Sequence, residues 1–152
     1  MTQSSSTSAL AYLPNFTARK VQAIPGGLPP DVADSLAAWV TRYLALAVVG
    51  VRSAAVTKKI ALHLDRFVGF FLEGYGHDRI STCLRRDVLA WQKALVEQGL
   101  APATVNNHLA SLSAFTTWVA AQAPTVFPVG DPAKGVHELG LPPLEPRVLT
   151  PA

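Results

Sequence analysis

Cysteine is almost absent from this chain of 152 residues, and charged residues are scarce. The single Cys83 excludes an intramolecular disulfide and fits a reducing, cytoplasmic environment. Charged residues make up 15% of the chain, and 13 basic residues face 10 acidic ones, which gives a net charge of +3. This balance permits binding to nucleic acid but does not require it.

Signals for a membrane segment, a metal site or an active site are also missing. The apolar run 36–51 contains Arg42 and falls short of the roughly 20 residues that cross a bilayer. The four histidines form no metal-ligand spacing with each other or with Cys83, and we find no Gly-rich phosphate loop or nucleophile elbow. We therefore expect no membrane association, metal, cofactor, catalytic residue or small-molecule substrate.

Proline is nearly excluded from the middle of the chain. Eleven of the 12 prolines lie before Asp31 or after Ala123, and only Pro102 lies between them. Because proline disrupts helix interiors, this distribution indicates a helical body flanked by two irregular segments. We predict a flexible N-terminal arm over residues 1–27, a helical domain over 28–138 and a linker over 139–152. The predicted fold class is all-α, a compact bundle of four main helices plus a short fifth.

Apolar spacing places the main helices at about 31–48, 53–73, 85–98 and 102–121, and the short fifth at about 131–136. The first helix carries this inward stripe: Val32, Leu36, Trp39, Tyr43 and Leu46. Its opposite face has unusually short side chains, among them Ala37 and Val48. That face is either a second buried surface within the domain or a contact with a neighbouring subunit. His63 and His108 flank the core stripes of the second and fourth helices, so we interpret each as a partly buried, hydrogen-bonded histidine.

The fourth helix is the most informative segment. Gly99 suits the left-handed residue that ends the preceding helix, and Pro102 suits a first helical position. The predicted core stripe is Val105, Leu109, Leu112, Thr116 and Val119. The opposite stripe is small, neutral and polar rather than charged: Ala103, Asn107, Ala110, Ser111 and Ala114. Such a face is suited to a close approach to another molecule.

Two clusters of cations are candidates for phosphate contacts. On the second helix, Lys58, Lys59 and Arg66 surround an outward Leu62. They form either a solvated face or a surface that contacts phosphates. Arg85 and Arg86 fall in the first turn of the third helix, where the helix dipole disfavours cations, which points to an external anion. Plain surface arginines are the alternative.

The stretch Gly99–Phe115 resembles the last long helix of the SAM-like core-binding domain of tyrosine recombinases, the phage-integrase family. The residues that match the family motif are Gly99, Leu100, Thr104, Val105, Asn106, Leu109, Leu112 and Phe115. Three shorter pieces follow the same family order. They are the apolar pattern of the second helix, Asp87-Val88 at the start of the third, and Asp131-Pro132-Ala133 near the end. Ala101 departs from the usual serine of this motif.

This resemblance implies the DNA-binding domain of a site-specific recombinase or integrase of a mobile element. Such a domain grips double-stranded DNA at a recombination half-site and assists assembly of a homotetramer in the nucleoid. Carried over by position and charge, the expected DNA-contacting residues are Lys58, Lys59, Arg66, Arg85, Arg86, Thr104, Asn107, His108 and Ser111. Strand cleavage would belong to a C-terminal domain outside these residues. A stand-alone helix-turn-helix regulator and a helical protein-interaction module remain alternatives.

Overall fold

The computed structural model describes residues 33–141, which form a bundle of four α-helices. The helices are α1 (Leu36–Tyr43), α2 (Ala54–Tyr75), α3 (Arg85–Glu97) and α4 (Pro102–Gln122). A π-helical turn (Leu44–Val48) continues α1, and a 3₁₀ turn (Ile80–Thr82) precedes α3. The all-α prediction and its four main helices are confirmed. The predicted arm over 1–27 and residues 142–152 of the predicted linker lie outside the described residues.

Local sequence signals account for most helix ends. The Ser35 and Ser53 hydroxyls accept hydrogen bonds from backbone N–H groups in the first turns of α1 and α2. Gly76 and Gly99 have φ of 75° and 89°, a left-handed conformation that ends α2 and α3 and that glycine adopts without strain. Pro102 is the first residue of α4, as predicted.

The core lies where α4 packs against α1, α2 and α3. The whole predicted stripe of α4 is buried, and so are the inward residues of α3, namely Val88, Trp91 and Leu95. Aromatic rings link the helices: Phe67 of α2 meets Trp91 of α3 with ring centroids 5.0 Å apart, and Tyr43 of α1 meets Phe115 of α4 at 5.5 Å. Burial of each large apolar side chain contributes about 1.5–3 kcal/mol.

The first helix differs from its prediction at both ends. It begins at Leu36, since Ser35 is extended and caps it; residues 31 and 32 lie outside the described range. The chain then enters a π turn, in which the Val49 N–H donates to the Leu44 carbonyl five residues earlier. This wider turn breaks the α-helical spacing, so Leu46 is 67% exposed instead of facing the core. Leu44 and Val48 are buried in its place.

The short-chain face of the first helix is partly buried within the domain. Ala37 and Val48, which the sequence left open as either internal or intersubunit contacts, are 0% and 2% exposed. The burial of these two side chains within a single chain favours the internal alternative.

The predicted short fifth helix is wrong. Residues 131–136 form separate turns, in which Lys134 N–H donates to the Asp131 carbonyl and Val136 N–H to the Ala133 carbonyl. Gly135, at φ 86°, interrupts the helical conformation after one turn. The Asp131 carboxylate accepts the Ala133 N–H at 2.9 Å, which stabilises the first turn in place of a helix.

Two aspartates join the start of α1 to the 3₁₀ turn. Asp78 Oδ2 accepts the Ser35 hydroxyl at 2.7 Å and the Ala37 N–H at 3.1 Å. Asp34 accepts the Ser81 N–H and hydroxyl, both at 2.8 Å. Burial raises the pKa of Asp34, but the hydrogen bonds from Ser81 and Arg79 outweigh it and leave this pKa below its usual value. The start of α1 is thus fixed by residues more than 40 positions away in the sequence.

Replacing Asp78 by alanine should destabilise the domain by about 2 kcal/mol, because the buried start of α1 loses its acceptor. Urea denaturation followed by far-UV circular dichroism measures the change. Glu97→Ala, which removes an exposed carboxylate at the end of α3, is the matched control and should stay within about 0.5 kcal/mol of the unaltered chain. Equal stabilities of the two variants would contradict the anchoring role.

Candidate nucleic-acid interface

Two polar contacts cross the interface between α2 and α4. The Ser111 hydroxyl lies 2.7 Å from Nδ1 of His63, and an Arg66 guanidinium nitrogen lies 2.8 Å from Nε2 of His108. The later residue on α2 meets the earlier residue on α4, so the two helices run antiparallel. Between these contacts, the imidazole rings of His63 and His108 lie 4.0 Å apart, centroid to centroid.

Exposed cations and polar side chains border this interface. On α2, Lys58, Lys59 and Arg66 are exposed, as predicted. On α4, Asn107 is exposed, and Thr104 and Ser111 are half-buried. The spacing of three and four residues places these α4 side chains in one row. We call the six residues together the α2–α4 face: Lys58, Lys59, Arg66, Thr104, Asn107 and Ser111.

Arg85 and Arg86 lie elsewhere. They open α3 beside the end of α2, where the Tyr75 hydroxyl donates to Asp87. Lys59 lies near the opposite end of α2, roughly 24 Å from Tyr75 at a rise of about 1.5 Å per residue. Arg85 also donates from Nε to the Lys134 carbonyl at 3.0 Å, which holds it against the C-terminal segment. Both arginines are exposed, and their contact with DNA stays a prediction, separate from the α2–α4 face.

His108 is not available for the direct DNA contact expected of it. Its side chain is 1% exposed, since it lies beneath Arg66 and against the ring of Trp91. Burial lowers its pKa, and the nearby Arg66 charge acts in the same direction, against an opposing effect of the hydrogen bond to the Thr104 carbonyl. The burial of His108 therefore contradicts a direct DNA contact by this residue.

His63 is the buried partner of His108, and the sequence did not indicate that the two rings meet. It is 6% exposed, and its pKa is lowered to about 4 by burial and by the nearby His108, Arg66 and Lys59 charges. Burial and hydrogen bonding of both histidines were predicted from their positions beside the core stripes. Their pairing was not, because the signal in each helix is only a histidine at the edge of an apolar stripe.

Asn106 fixes the C-terminal segment. Its carboxamide donates to the Leu139 carbonyl at 3.1 Å and accepts the Leu139 N–H at 2.8 Å, and its side chain is 8% exposed. Leu139, which was assigned to the linker, is thus joined to α4. The family resemblance includes Asn106, but nothing in the sequence alone indicated this contact.

The small residues of α4 lie in two different environments. Ser111 faces α2, whereas Ala110 and Ala114 line a groove of about 750 Å³ between α4 and the C-terminal segment. Ala133 and Val136 form the other wall of this groove. The face is therefore not one continuous docking surface, and its polar part belongs with the cations of α2.

Other candidate sites are inert or absent in the described range. Cys83 is 3% exposed, and burial raises the pKa of its thiol to about 12, so the neighbouring arginines do not activate it. Among residues 33–141 we find no group of three or more His, Cys, Asp or Glu side chains arranged to hold a metal. Over the same residues, no helix combines the length and apolarity required to cross a bilayer.

Comparison with known proteins does not assign the chain to a family. The chain matches no protein-family model, no curated protein and no solved structure.

The stability of the domain should fall as the pH is lowered from 6.5. An unfolded histidine binds a proton near pH 6.5, whereas His63 in the folded chain binds one only near pH 4. The unfolded state is therefore favoured progressively as the pH falls through this interval. His63 alone should lower the free energy of unfolding by about 1.5 kcal/mol between pH 6.5 and 5. The pKa of His108 is also lowered in the folded chain, so this residue too should reduce the stability as the pH falls.

Urea denaturation at the two pH values measures this loss. His63→Gln should show a smaller loss, and His137→Gln, which replaces an exposed histidine, should match the unaltered chain. The same pH dependence in all three proteins would contradict the assignment.

Proposed function

We propose that this chain is the DNA-binding part of a tyrosine-type site-specific recombinase, and that it holds duplex DNA on the α2–α4 face. The observation that carries the proposal is the meeting of two independently predicted groups on one surface. Lys59 and Arg66 come from α2, and Asn107 and Ser111 come from α4, 41–52 residues later. The two helices bring cations suited to phosphates beside polar side chains suited to a groove.

The chemistry of the face suits duplex DNA. Lysine and arginine neutralise phosphates and release counterions, which supplies affinity without sequence preference. Short polar side chains allow a helix to approach base edges, and a carboxamide such as that of Asn107 pairs with adenine in the major groove. With three cations on the face, duplex affinity should be weak, near the non-specific range of roughly 10⁻⁴–10⁻⁶ M at physiological salt.

The resemblance of Gly99–Phe115 to the recombinase helix supports the class of protein. On this proposal, the chain acts inside the cell on nucleoid DNA, takes part in a tetramer of recombinase protomers, and leaves strand cleavage to a C-terminal catalytic domain. A stand-alone helix-turn-helix regulator is less well supported. The helix after the Gly99 turn, α4, has 21 residues and packs into the core, whereas a recognition helix is short and exposed.

A helical protein-interaction module is the second candidate. Leu46, within the π segment, is 67% exposed, and Val51, in the turn that follows this segment, is 71% exposed. Two large apolar side chains so near each other suit a contact with another protein. Analytical ultracentrifugation without DNA separates the alternatives: self-association that Leu46→Glu abolishes would favour the interaction module.

Replacing Lys58 and Lys59 together by alanine should weaken binding to any duplex and flatten its salt dependence. Each lost phosphate contact reduces the slope of log K against log salt by about one unit. Fluorescence anisotropy with a labelled duplex over a series of salt concentrations measures the slope.

Lys93→Ala, which removes an exposed lysine from α3, is the matched control and should leave the slope nearly unchanged. An unchanged slope in the double variant would remove α2 from the DNA surface. A slope equally reduced by Lys93→Ala would extend the surface to α3.

Asn107→Ala should reduce sequence preference rather than general affinity. A bidentate contact with adenine contributes about 1–3 kcal/mol against a wrong base. The preferred half-site is first selected from a random duplex library with the unaltered chain, and affinities for this site and a scrambled duplex are then compared. Asn107→Ala should weaken only the first, whereas Lys59→Ala should weaken both. An equal effect of Asn107→Ala on the two duplexes would show that Asn107 reads no base.

A further inference from the structure

The interface between α2 and α4 contains a polar cluster directly beneath the proposed DNA surface. Two buried imidazoles, His63 and His108, lie between Ser111 on one side and Arg66 on the other. Trp91 of α3 closes the cluster from below, with its ring centroid 5.8 Å from that of His108. Buried polar groups of this kind are retained at a cost in stability unless each is hydrogen-bonded.

The hydrogen bonds of His108 admit one arrangement of protons. A guanidinium only donates, so Nε2 of His108 must be the unprotonated acceptor of the bond from Arg66. Nδ1 then carries the proton and donates to the Thr104 carbonyl at 2.8 Å. Both ring nitrogens are therefore used, and the imidazole is held in one orientation between its two partners.

A neutral acceptor leaves the charge of Arg66 intact. Arginine is most often held in place by a carboxylate, which orients the guanidinium but cancels its charge. An imidazole orients it without cancelling the charge. One guanidinium nitrogen is bound to His108, and the remaining N–H groups of this exposed side chain keep their capacity to donate.

Other groups around the cluster add to a positive site. The Lys59 and Arg66 charges both act on His63. The Ser111 hydroxyl, half-buried between the helices, lies at the same surface. The half-buried Asp65, next to Arg66 in the sequence, also lies on α2 and carries the opposite charge.

We propose that His108 is a positioning residue that holds Arg66 at the edge of the interface between α2 and α4, and that Arg66, Lys59 and Ser111 form a site for one phosphodiester group of the DNA backbone. The phosphate role rests on the proposed function. The holding of Arg66 by His108 does not, since it is a property of the free protein.

Nuclear magnetic resonance of the free, isotope-labelled chain tests the holding of Arg66. Rotation about the bond from Nε to the guanidinium carbon should be slower for Arg66 than for the exposed Arg52, and His108→Leu should abolish the difference. His108→Gln provides an uncharged acceptor in place of Nε2 and should restore much of it. Equal rotation rates for Arg66 and Arg52 in the unaltered chain would overturn the positioning role.

Binding to a labelled 20-base-pair duplex tests the phosphate site. Arg66→Gln should weaken binding and reduce the salt slope by about one unit. His108→Leu should weaken binding about fivefold, because a mobile arginine must be ordered on binding, whereas His108→Gln should remain within about twofold of the unaltered chain. Arg66→Lys keeps the charge without disturbing the interior, and it should weaken binding if the held guanidinium matters. This variant therefore tests whether binding needs the guanidinium of Arg66 even if His108→Leu fails to fold.

The outcomes separate this inference from the function on which it rests. If the unaltered chain shows no salt-dependent duplex binding, the proposed function and the phosphate site both fail, while the rotation rates still decide the positioning role. If the chain binds duplex but Arg66→Gln and Arg66→Lys match it, only the phosphate site is overturned. Weakening by Arg66→Lys and by His108→Leu, with recovery in His108→Gln, supports the proposal in full.

Discussion

The antiparallel packing of α4 against α2 is the contact on which the rest of the structure depends. α4 also packs against α1 and α3, so its buried stripe meets three neighbours at once. With Val105, Leu112 and Val119 all 0% exposed, the helix cannot rotate about its axis without exposing apolar surface. That constraint alone directs Asn107 to the solvent and Ser111 toward α2.

The polar cluster within this packing fixes what apolar contacts leave open. Apolar side chains of similar size tolerate a shift of one helix along another, whereas each hydrogen bond is satisfied at only one alignment. The pairs His63–Ser111 and Arg66–His108 therefore define how far α2 is displaced along α4. The same burial that keeps both imidazoles neutral makes this alignment sensitive to acid, since a protonated ring would meet the Arg66 charge.

The C-terminal segment is attached to α4 beside two residues of the α2–α4 face. Asn106 holds Leu139 near the start of α4, between Thr104 and Asn107 in the sequence. Under the proposed function, the chain would thus leave the bundle close to bound DNA, where a catalytic domain on the other side of the duplex could follow. Arg85 and Arg86 lie beside the C-terminal end of α2, against the loop that contains Lys134. They would extend the contact along DNA rather than add to the central face.

Sequence alone determined the features that depend on neighbours three or four residues apart. These include the extents of α2, α3 and α4, the end of α3 at Gly99, the buried stripe of α4 and the exposure of Lys59 and Arg66. The π turn after Tyr43, the pairing of His63 with His108 and the attachment of Leu139 to Asn106 were decided only by the tertiary structure. Each depends on which groups meet across the core from distant segments, or on how packing deforms a helix. Helical periodicity specifies which face of a helix is buried, but it carries no information about the residue that will lie opposite.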